Sequence, residues 1–364
     1  MLHLKARTPV ARFPAARTAH KTAWYCGWLG HRNLGDEASH AAIHEAFGPT
    51  HFVRPRSRFS EAFRKVGWVR KHDLAIVGGG TQIGETGFRG PTLRAMNTCG
   101  NCVVFGTGAE DPTFWSSRDP GRYDLDAWKP ILERCTYIGV RGPRSQRHLR
   151  QIGIESEVIG DPACMFVRPA PLRQATGQRR LGLNLGSGSQ GMFGNDESVL
   201  GSLLGFARKM LDDRWNLTLY VVFPGDMPVA AELARRVGLP QSQIRCFYDD
   251  AGAFIDSVSD QTVFVGFKLH AVVLAYCAHV PALMIEYRPK CRDFMESIGA
   301  DDFVIRADLL TVDHLLSGIE SLEARGSALI SATSQRLEHF RQKQIATARR
   351  LISQTSSGAR AMAS

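Results

Sequence analysis

The sequence predicts an α/β protein of two doubly wound lobes, each built on a parallel sheet, and three observations carry that prediction. Ten short apolar runs rich in β-branched residues recur along the chain, continuous rather than alternating in character, as strands covered on both faces must be. Amphipathic stretches such as 37–48 (EASHAAIHEAFG) and 143–153 (PRSQRHLRQIG) separate most of them, the βαβ signature of parallel sheets. A Pro-rich, basic, aperiodic segment at 168–180 divides the runs into two series, and 364 residues is long for one compact domain.

In chain order, residues 1–21 are basic and Pro/Ala-rich with no apolar run, and are expected to form a flexible tail. The N-terminal lobe spans 22–167, with strands expected at 22–29, 73–79, 101–107, 137–142 and 156–161. The linker is 168–180. The C-terminal lobe follows at 181–310, its strand runs falling at 180–186, 217–224, 243–248, 262–267 and 282–287. The apolar stretch from Ala271 to Ile285 is broken by His279 and Pro281 and is too short to span a bilayer, so it reads as a buried helix turning into a buried strand. Residues 311–353 are expected as C-terminal helices and 354–364 as a frayed, flexible tail. In such folds the ligand sits in the crevice at the carboxyl ends of the strands.

Composition narrows the function classes. No apolar stretch stands behind the N-terminal charges, so no secretory signal is expected and the cytoplasm is the expected compartment. Eight scattered cysteines fit a reducing compartment; the lone CxxC of Cys99 and Cys102 precedes a strand and lacks a second ligand pair, so neither a zinc nor a redox role is expected. The formal charge of +10 favours anionic partners. Much of it lies in 54–71, where seven cations interleave with Phe59, Phe63, Val66 and Trp68; such a segment is either a solvated helix face or a peripheral contact with anionic lipid. The cations form no nucleic-acid-binding motif, so a nucleic-acid partner is not expected.

Four stretches carry chemistry. Residues 27–38 (GWLGHRNLGDEA) read as a strand end, a turn containing Gly30, Asn33 and Gly35, and a helix opening with Asp36 at or near its N-cap and Glu37 beside it. Gly78, Gly79 and Gly80, and then Gly106 and Gly108, mark two more strand ends where side chains would obstruct a close approach. Gly186, Gly188 and Gly191 give one GxGxxG after a strand, but no acidic residue follows at dinucleotide spacing, so the loop reads as anion-friendly rather than as a nicotinamide site. Lys268-Leu269-His270 opens a late helix, and Tyr287-Arg288-Pro289-Lys290 follows the next strand; on pattern alone His270 is more often a packing or capping histidine than a catalyst.

Taken together and in order, these motifs resemble those of the polysaccharide pyruvyltransferases: Asn33/Gly35/Asp36/Glu37, Gly78–Gly80, Gly106/Gly108/Pro112, Arg141/Ser145/Leu149, Asp161/Pro162, Leu269/His270/Ala271 and Tyr287/Pro289/Lys290. The likeness covers roughly residues 24 to 300. It departs at Lys268, where the family usually has Arg, and at Gly142, where Asp is common. The resemblance implies a GT-B-like fold, a phosphoenolpyruvate co-substrate, no other cofactor and no metal. It also implies a saccharide partner, plausibly lipid-linked at the inner membrane face. Arg141, Lys268, Leu269 and Lys290 are then expected to bind phosphoenolpyruvate, aided by the turns of Gly30, Asn33, Gly35, Gly79, Gly80, Gly108, Gly186 and Gly188. His270 becomes the expected proton donor, with Asp36 or Glu37 handling saccharide hydroxyls. Three other functions compete: a GT-B glycosyltransferase using a nucleotide-sugar, with Glu286 on the ribose; a non-catalytic binder of anionic surfaces; and a family member with a changed donor.

Overall fold

The computed structural model describes residues 21–53, 72–169, 177–188 and 191–361. The 1–21 tail up to residue 20, the segment 54–71 and residues 170–176 of the linker lie outside that set, and with them the flexible-tail and membrane-contact expectations. All ten anticipated strands are present, and so are three short ones, at 51–53, 81–83 and 304–306, that are too brief to carry a readable pattern.

The first lobe runs β1 (Thr22–Cys26), α1 (Leu34–Phe47), β2 (His51–Val53), β3 (His72–Gly78), β4 (Thr81–Ile83), α2 (Thr86–Thr98), β5 (Cys99–Ala109), α3 (Pro112–Ser116), α4 (Lys129–Leu132), β6 (Tyr137–Val140), α5 (Pro143–Gln151) and β7 (Glu157–Val158). Its parallel sheet has the order β2-β1-β3-β5-β6-β7, with β4 against β5. The second runs β8 (Arg180–Asn184), α6 (Asp196–Asp212), β9 (Asn216–Val221), α7 (Met227–Val237), β10 (Ile244–Cys246), α8 (Ala251–Val258), β11 (Val263–Gly266), α9 (Leu269–Cys277), β12 (Ala282–Glu286), α10 (Pro289–Ile298) and β13 (Val304–Arg306), in the order β10-β9-β8-β11-β12-β13. The chain changes direction across the sheet between β1 and β3 in one lobe and between β8 and β11 in the other. At such switch points the strand-end loops part and leave a crevice, and here the two crevices face each other.

Burial explains why these segments are strands and helices. In the β11–α9–β12 unit the strands are wholly buried, and all of α9 but His270 is too, as its all-round apolar sequence requires. Each fully buried Phe or Leu of this kind contributes about 1.5–3 kcal/mol. Helix α1 is started by Asn33, whose side chain accepts from the Gly35 N–H, and stopped by Gly48 at φ 62°. Asp36, expected at or near the cap, lies instead in the helix's first turn.

The C-terminal expectation needs correcting. Residues 311–353 do not form several helices: one helix, α11 (Val312–Ala361), 50 residues long, replaces them and continues through 354–361 of the expected frayed tail. No proline interrupts this stretch. Its early turns place Leu315, Ile319 and Leu322 in the second lobe's core, while Ala348 and Leu351 pack with Ala23, Ile43 and Phe47 of the first. On the way, Gln344 Nε2 donates to the carbonyls of Ile159 (3.0 Å) and Asp161 (2.9 Å), and Lys343 Nζ to that of Val158 (2.8 Å). The helix therefore straps the turn after β7 in place. Other links join the lobes, among them the Leu34 N–H donating to Val222 O at 3.0 Å and Arg141 meeting Asp293 at 3.3 Å. Among the described residues no helix is long and apolar enough to cross a membrane.

Candidate active site

The facing strand ends enclose a cleft of about 560 Å³ lined from both lobes. Its centre is His270, one residue into α9. The imidazole lies against Gly35, where a Cβ would come within 2.1 Å of Nδ1. Its Nε2 is 3.5 Å from Asp161 Oδ2 and 3.3 Å from Ser39 Oγ, a hydroxyl that donates to Gly35 O at 2.8 Å. Asp161 follows β7 in the strapped turn, completely buried, with Oδ1 accepting from the Ala163 N–H at 2.9 Å. Burial pushes its carboxyl up, but His270, Arg141 and the Ala163 N–H together outweigh that and hold it below the usual carboxylate range. Asp161 Oδ2 makes no hydrogen bond in the described structure, so its link to the ring is the 3.5 Å charge contact, while Nδ1 lies against Gly35, itself a lining residue of the cleft. An imidazole held this way takes a proton when neutral and gives one when charged.

Two charged groups in the cleft have no hydrogen-bond or ion-pair partner among the described residues. Asp36 is half-buried in the first turn of α1; burial raises its carboxyl to about 6, with His270 and Lys290 limiting the rise. Lys290, in the first turn of α10, is half-buried with Nζ 5.1 Å from the centre of the Tyr287 ring. Burial, reinforced by Arg288, lowers its ammonium to about 8. A group poised near neutrality inside a cleft is what proton transfer and anion binding use.

The other expected cations are already engaged. Arg141 is wholly buried: Nε faces Asp293, Nη1 donates to Gly80 O at 3.0 Å and Nη2 to Thr81 Oγ1 at 3.1 Å. Asp293 also accepts from Ser145 Oγ at 2.7 Å, so the Arg141 and Ser145 of the motif clasp the second lobe. Removing one partner of such a buried pair costs about 3–5 kcal/mol. Lys268 Nζ meets Asp226 Oδ1 at 3.2 Å and donates to Ser187 O at 3.2 Å. Asp226 Oδ2 has no partner in the described structure. An arginine fork could have engaged both oxygens, whereas a lysine ammonium covers one. Leu269 lines the cleft at the start of α9; in that first turn the Ala271 N–H donates to Lys268 O at 3.1 Å, while the Leu269 and His270 N–H groups precede the first intrahelical acceptor.

Several expected site residues serve other ends. Glu37 accepts from the Gly30 N–H at 2.7 Å, bracing the turn before α1, and neither residue lines the cleft. Asn33 and Gly80 do line it. Gly79, at φ 70°, is a packing glycine: a Cβ there would lie 2.7 Å from Ser39 Cβ. At Gly108 a Cβ would lie 2.2 Å from Arg141 Nη2. The expected anion cradle after β8 is filled from within at residues 186–188, the part of the loop whose backbone is described ahead of Gly191. Gly186 admits the Lys268 side chain and Gly188 that of Met192, while the Ser187 and Gly188 N–H groups are already taken by Asp226 (3.0 Å) and Asp196 (2.7 Å). Glu286 is paired with Arg292 at 2.8 Å. Neither Cys99 nor Cys102 is in a disulfide, and no group of three or more His, Cys, Asp or Glu among the described residues is placed to hold a metal.

Sequence reasoning gave no site role to Asp161, Ser39, Gln82, Glu110 or Asp226. Asp161 stood in a recognised motif, and that was the available signal. Glu110 is buried, and burial raises its carboxyl, with the Trp115 contact and the cations Lys290 and Arg288 opposing.

The sequence model of the polysaccharide pyruvyl transferase family matches residues 33–289, well over half of the chain. No curated protein sequence matches significantly. Among solved structures, the chain is similar in fold to MnaA of S. aureus bound to UDP (TM-score 0.58, 12% identity, 86% of this chain and 90% of that one). It is likewise similar to a putative UDP-N-acetylglucosamine 2-epimerase from Listeria monocytogenes (TM-score 0.58, 12% identity, 93% and 96%). The pneumococcal O-GlcNAc transferase GtfA, in complex with UDP and GlcNAc, is a third (TM-score 0.54, 13% identity, 82% and 60%). At these identities the likeness is one of architecture, the two-lobed GT-B fold.

Proposed function

We propose that this chain, which belongs to the polysaccharide pyruvyl transferase family, moves the pyruvyl group of phosphoenolpyruvate onto two hydroxyls of one saccharide as a cyclic ketal. The observation that carries the proposal is that His270, with Asp161 3.5 Å from its Nε2, shares one cleft with the unpartnered Asp36 carboxylate and the unpartnered Lys290 ammonium. Lys290 and the Leu269 and His270 N–H groups at the start of α9 suit the phosphate and carboxylate of phosphoenolpyruvate. Arg141 and Lys268, held by Asp293 and Asp226, shape the frame and the field rather than offering free charge.

In the proposed reaction, His270 gives a proton to the terminal alkene carbon, leaving an oxocarbenium-like centre at C2. One saccharide hydroxyl adds there and its proton passes to Asp36, which returns it to His270. Phosphate departs, the second hydroxyl closes the ketal, and that hydroxyl's proton leaves with hydrogen phosphate. One phosphoenolpyruvate and two hydroxyls thus give one ketal and one phosphate. The nucleotide-sugar alternative is disfavoured by the engagement of Glu286 with Arg292.

Phosphate release from phosphoenolpyruvate, measured with and without nitrophenyl and lipid-linked saccharides, tests the proposal. Saccharide-dependent release is expected, and its absence with every saccharide, alongside no phosphoenolpyruvate binding, overturns it. His270→Ala should abolish release while leaving thermal unfolding unchanged; retained release would remove His270 from the proton-donor role.

A further inference from the structure

The first lobe's side of the cleft holds a buried hydrogen-bond acceptor that the scheme above does not use. Gln82 follows Gly79 and Gly80 on β4, is 2% exposed and lines the cleft. Its Nε2 is committed to three backbone carbonyls, Cys26 (3.1 Å), Gly78 (2.6 Å) and Gly79 (3.2 Å). That contact fixes which end of the amide is which, because a carbonyl oxygen cannot sit against three others. Oε1 is consequently the atom left over, and it has no hydrogen-bond donor among the described residues. A buried acceptor left unsatisfied costs about 1–3 kcal/mol. Such a cost is tolerated where a ligand supplies the missing hydrogen.

The neighbouring polar group without a partner on the same lobe is again an acceptor, Asp36, whose Oδ1 lies 3.4 Å from the position a Gly80 Cβ would take. Two acceptors and no free cation form a poor site for phosphate and a good one for hydroxyls. Nearer solvent, Trp28 lines the cleft, half-buried, with His31 stacked on it at 4.4 Å between ring centres. An indole braced this way offers apolar area to the C–H face of a sugar ring at low entropic cost.

We infer that Gln82 Oε1 and Trp28 form the subsite for the hexopyranose that receives the pyruvyl group, Gln82 accepting from one ring hydroxyl while Asp36 accepts from its neighbour. The inference rests on the function proposed above and names which wall of the cleft takes the sugar. It also makes Gln82 a specificity-determining residue: a sugar lacking the matched hydroxyl leaves Oε1 unpaired, and unpaired buried groups discriminate far more strongly than missing apolar contacts.

The experiment is calorimetric binding of 4-nitrophenyl β-glucoside, β-galactoside and β-mannoside to the full chain, with phosphoenolpyruvate titrated separately. At least one pyranoside should bind the wild type. Gln82→Met should weaken it by about tenfold or more, as loss of a buried hydrogen bond predicts, and should leave phosphoenolpyruvate affinity within about twofold. Trp28→Ala, at the rim and away from the three carbonyls, guards against misfolding of the first variant and should also weaken the pyranoside selectively. Binding of none of the three sugars, unchanged sugar binding in both variants, or selective loss of phosphoenolpyruvate instead overturns the subsite. Gln82-dependent sugar binding without phosphoenolpyruvate binding would leave the subsite standing and sink the pyruvyl-transfer proposal.

Discussion

On the cleft wall built by the first lobe, Asp36 and Gln82 Oε1 are oxygens without a hydrogen-bond or ion-pair partner among the described residues. On the opposite wall the corresponding group is a cation, Lys290. Asp226 Oδ2 is the exception there, and it has a local cause in the single prong of Lys268. The asymmetry is what the proposed reaction needs: a cation for the anion on one side, acceptors for saccharide hydroxyls on the other. His270 stands at the seam. It belongs to the second lobe in sequence, yet Asp161, Ser39 and Gly35, the groups that orient it, all come from the first. The proposed proton donor therefore has these neighbours only when the lobes are docked as they are here.

The most damaging way to break that arrangement is Asp161→Asn. The amide can still accept from the Ala163 N–H, so the turn is kept, but no ionised carboxylate then stands behind Nε2. By analogy with other carboxylate-oriented histidines, kcat should fall about 10³–10⁴-fold. Affinities for phosphoenolpyruvate and sugar should move little, and the ¹⁵N shifts of His270 should report a changed tautomer. A loss below about tenfold, with the tautomer unchanged, would mean that Asp161 serves only the turn.

The next effect is in pH. In the proposed reaction Asp36 accepts a hydroxyl proton only when ionised, so kcat/KM should rise as pH climbs through about 6. In the same scheme Lys290 holds the anion only when charged, so it should fall again above about 8. Asp36→Asn should remove the acid limb, and Lys290→Met the alkaline one. The stability consequence has a definite sign. The Asp36 carboxyl is raised from 3.8 to about 6, so the native state binds more protons in that window and stability falls as pH rises through it. Asp36→Asn should thus raise the melting temperature above pH 6 and leave it unaltered below pH 4, even as activity is lost. An unchanged melting temperature at pH 7 would show that the cleft hydrates this carboxylate fully.

The way the site came to be legible follows the same division between local and distant information. Strand runs such as DLAIVGG and the buried helix-to-strand stretch Ala271–Ile285 are patterns of neighbouring residues, and the fold follows them closely. The ordered motifs located the cleft because they mark strand ends. What neighbouring residues do not encode is which partner each group meets. Arg141 finds Asp293, 152 positions on, and a free cation becomes a clasp. The glycines were legible as close approaches, but what approaches Gly35, Gly108 and Gly186 is a side chain of the protein itself: His270, Arg141 and Lys268 respectively. Gln82 carries no local mark at all, since its orphaned oxygen results from three carbonyls gathered by tertiary folding.

The smallest expected effect sharpens the comparison most, because it concerns the one family position where this chain differs inside the cleft. If Lys268 contacts phosphoenolpyruvate, Lys268→Arg adds a planar fork for carboxylate or phosphate and should tighten binding by tenfold or so. The geometry argues for the other outcome. Lys268 is fastened to Asp226 and Ser187 O, its stem lies in the slot left by Gly186, and Asp226 Oδ2 waits for a second prong. An arginine there should satisfy both oxygens, raise the melting temperature modestly, and change the KM for phosphoenolpyruvate by less than about threefold. The paired measurement of KM and melting temperature separates a ligand-binding cation from a loop strut, and with it decides whether Lys290 carries the anion-facing wall largely alone.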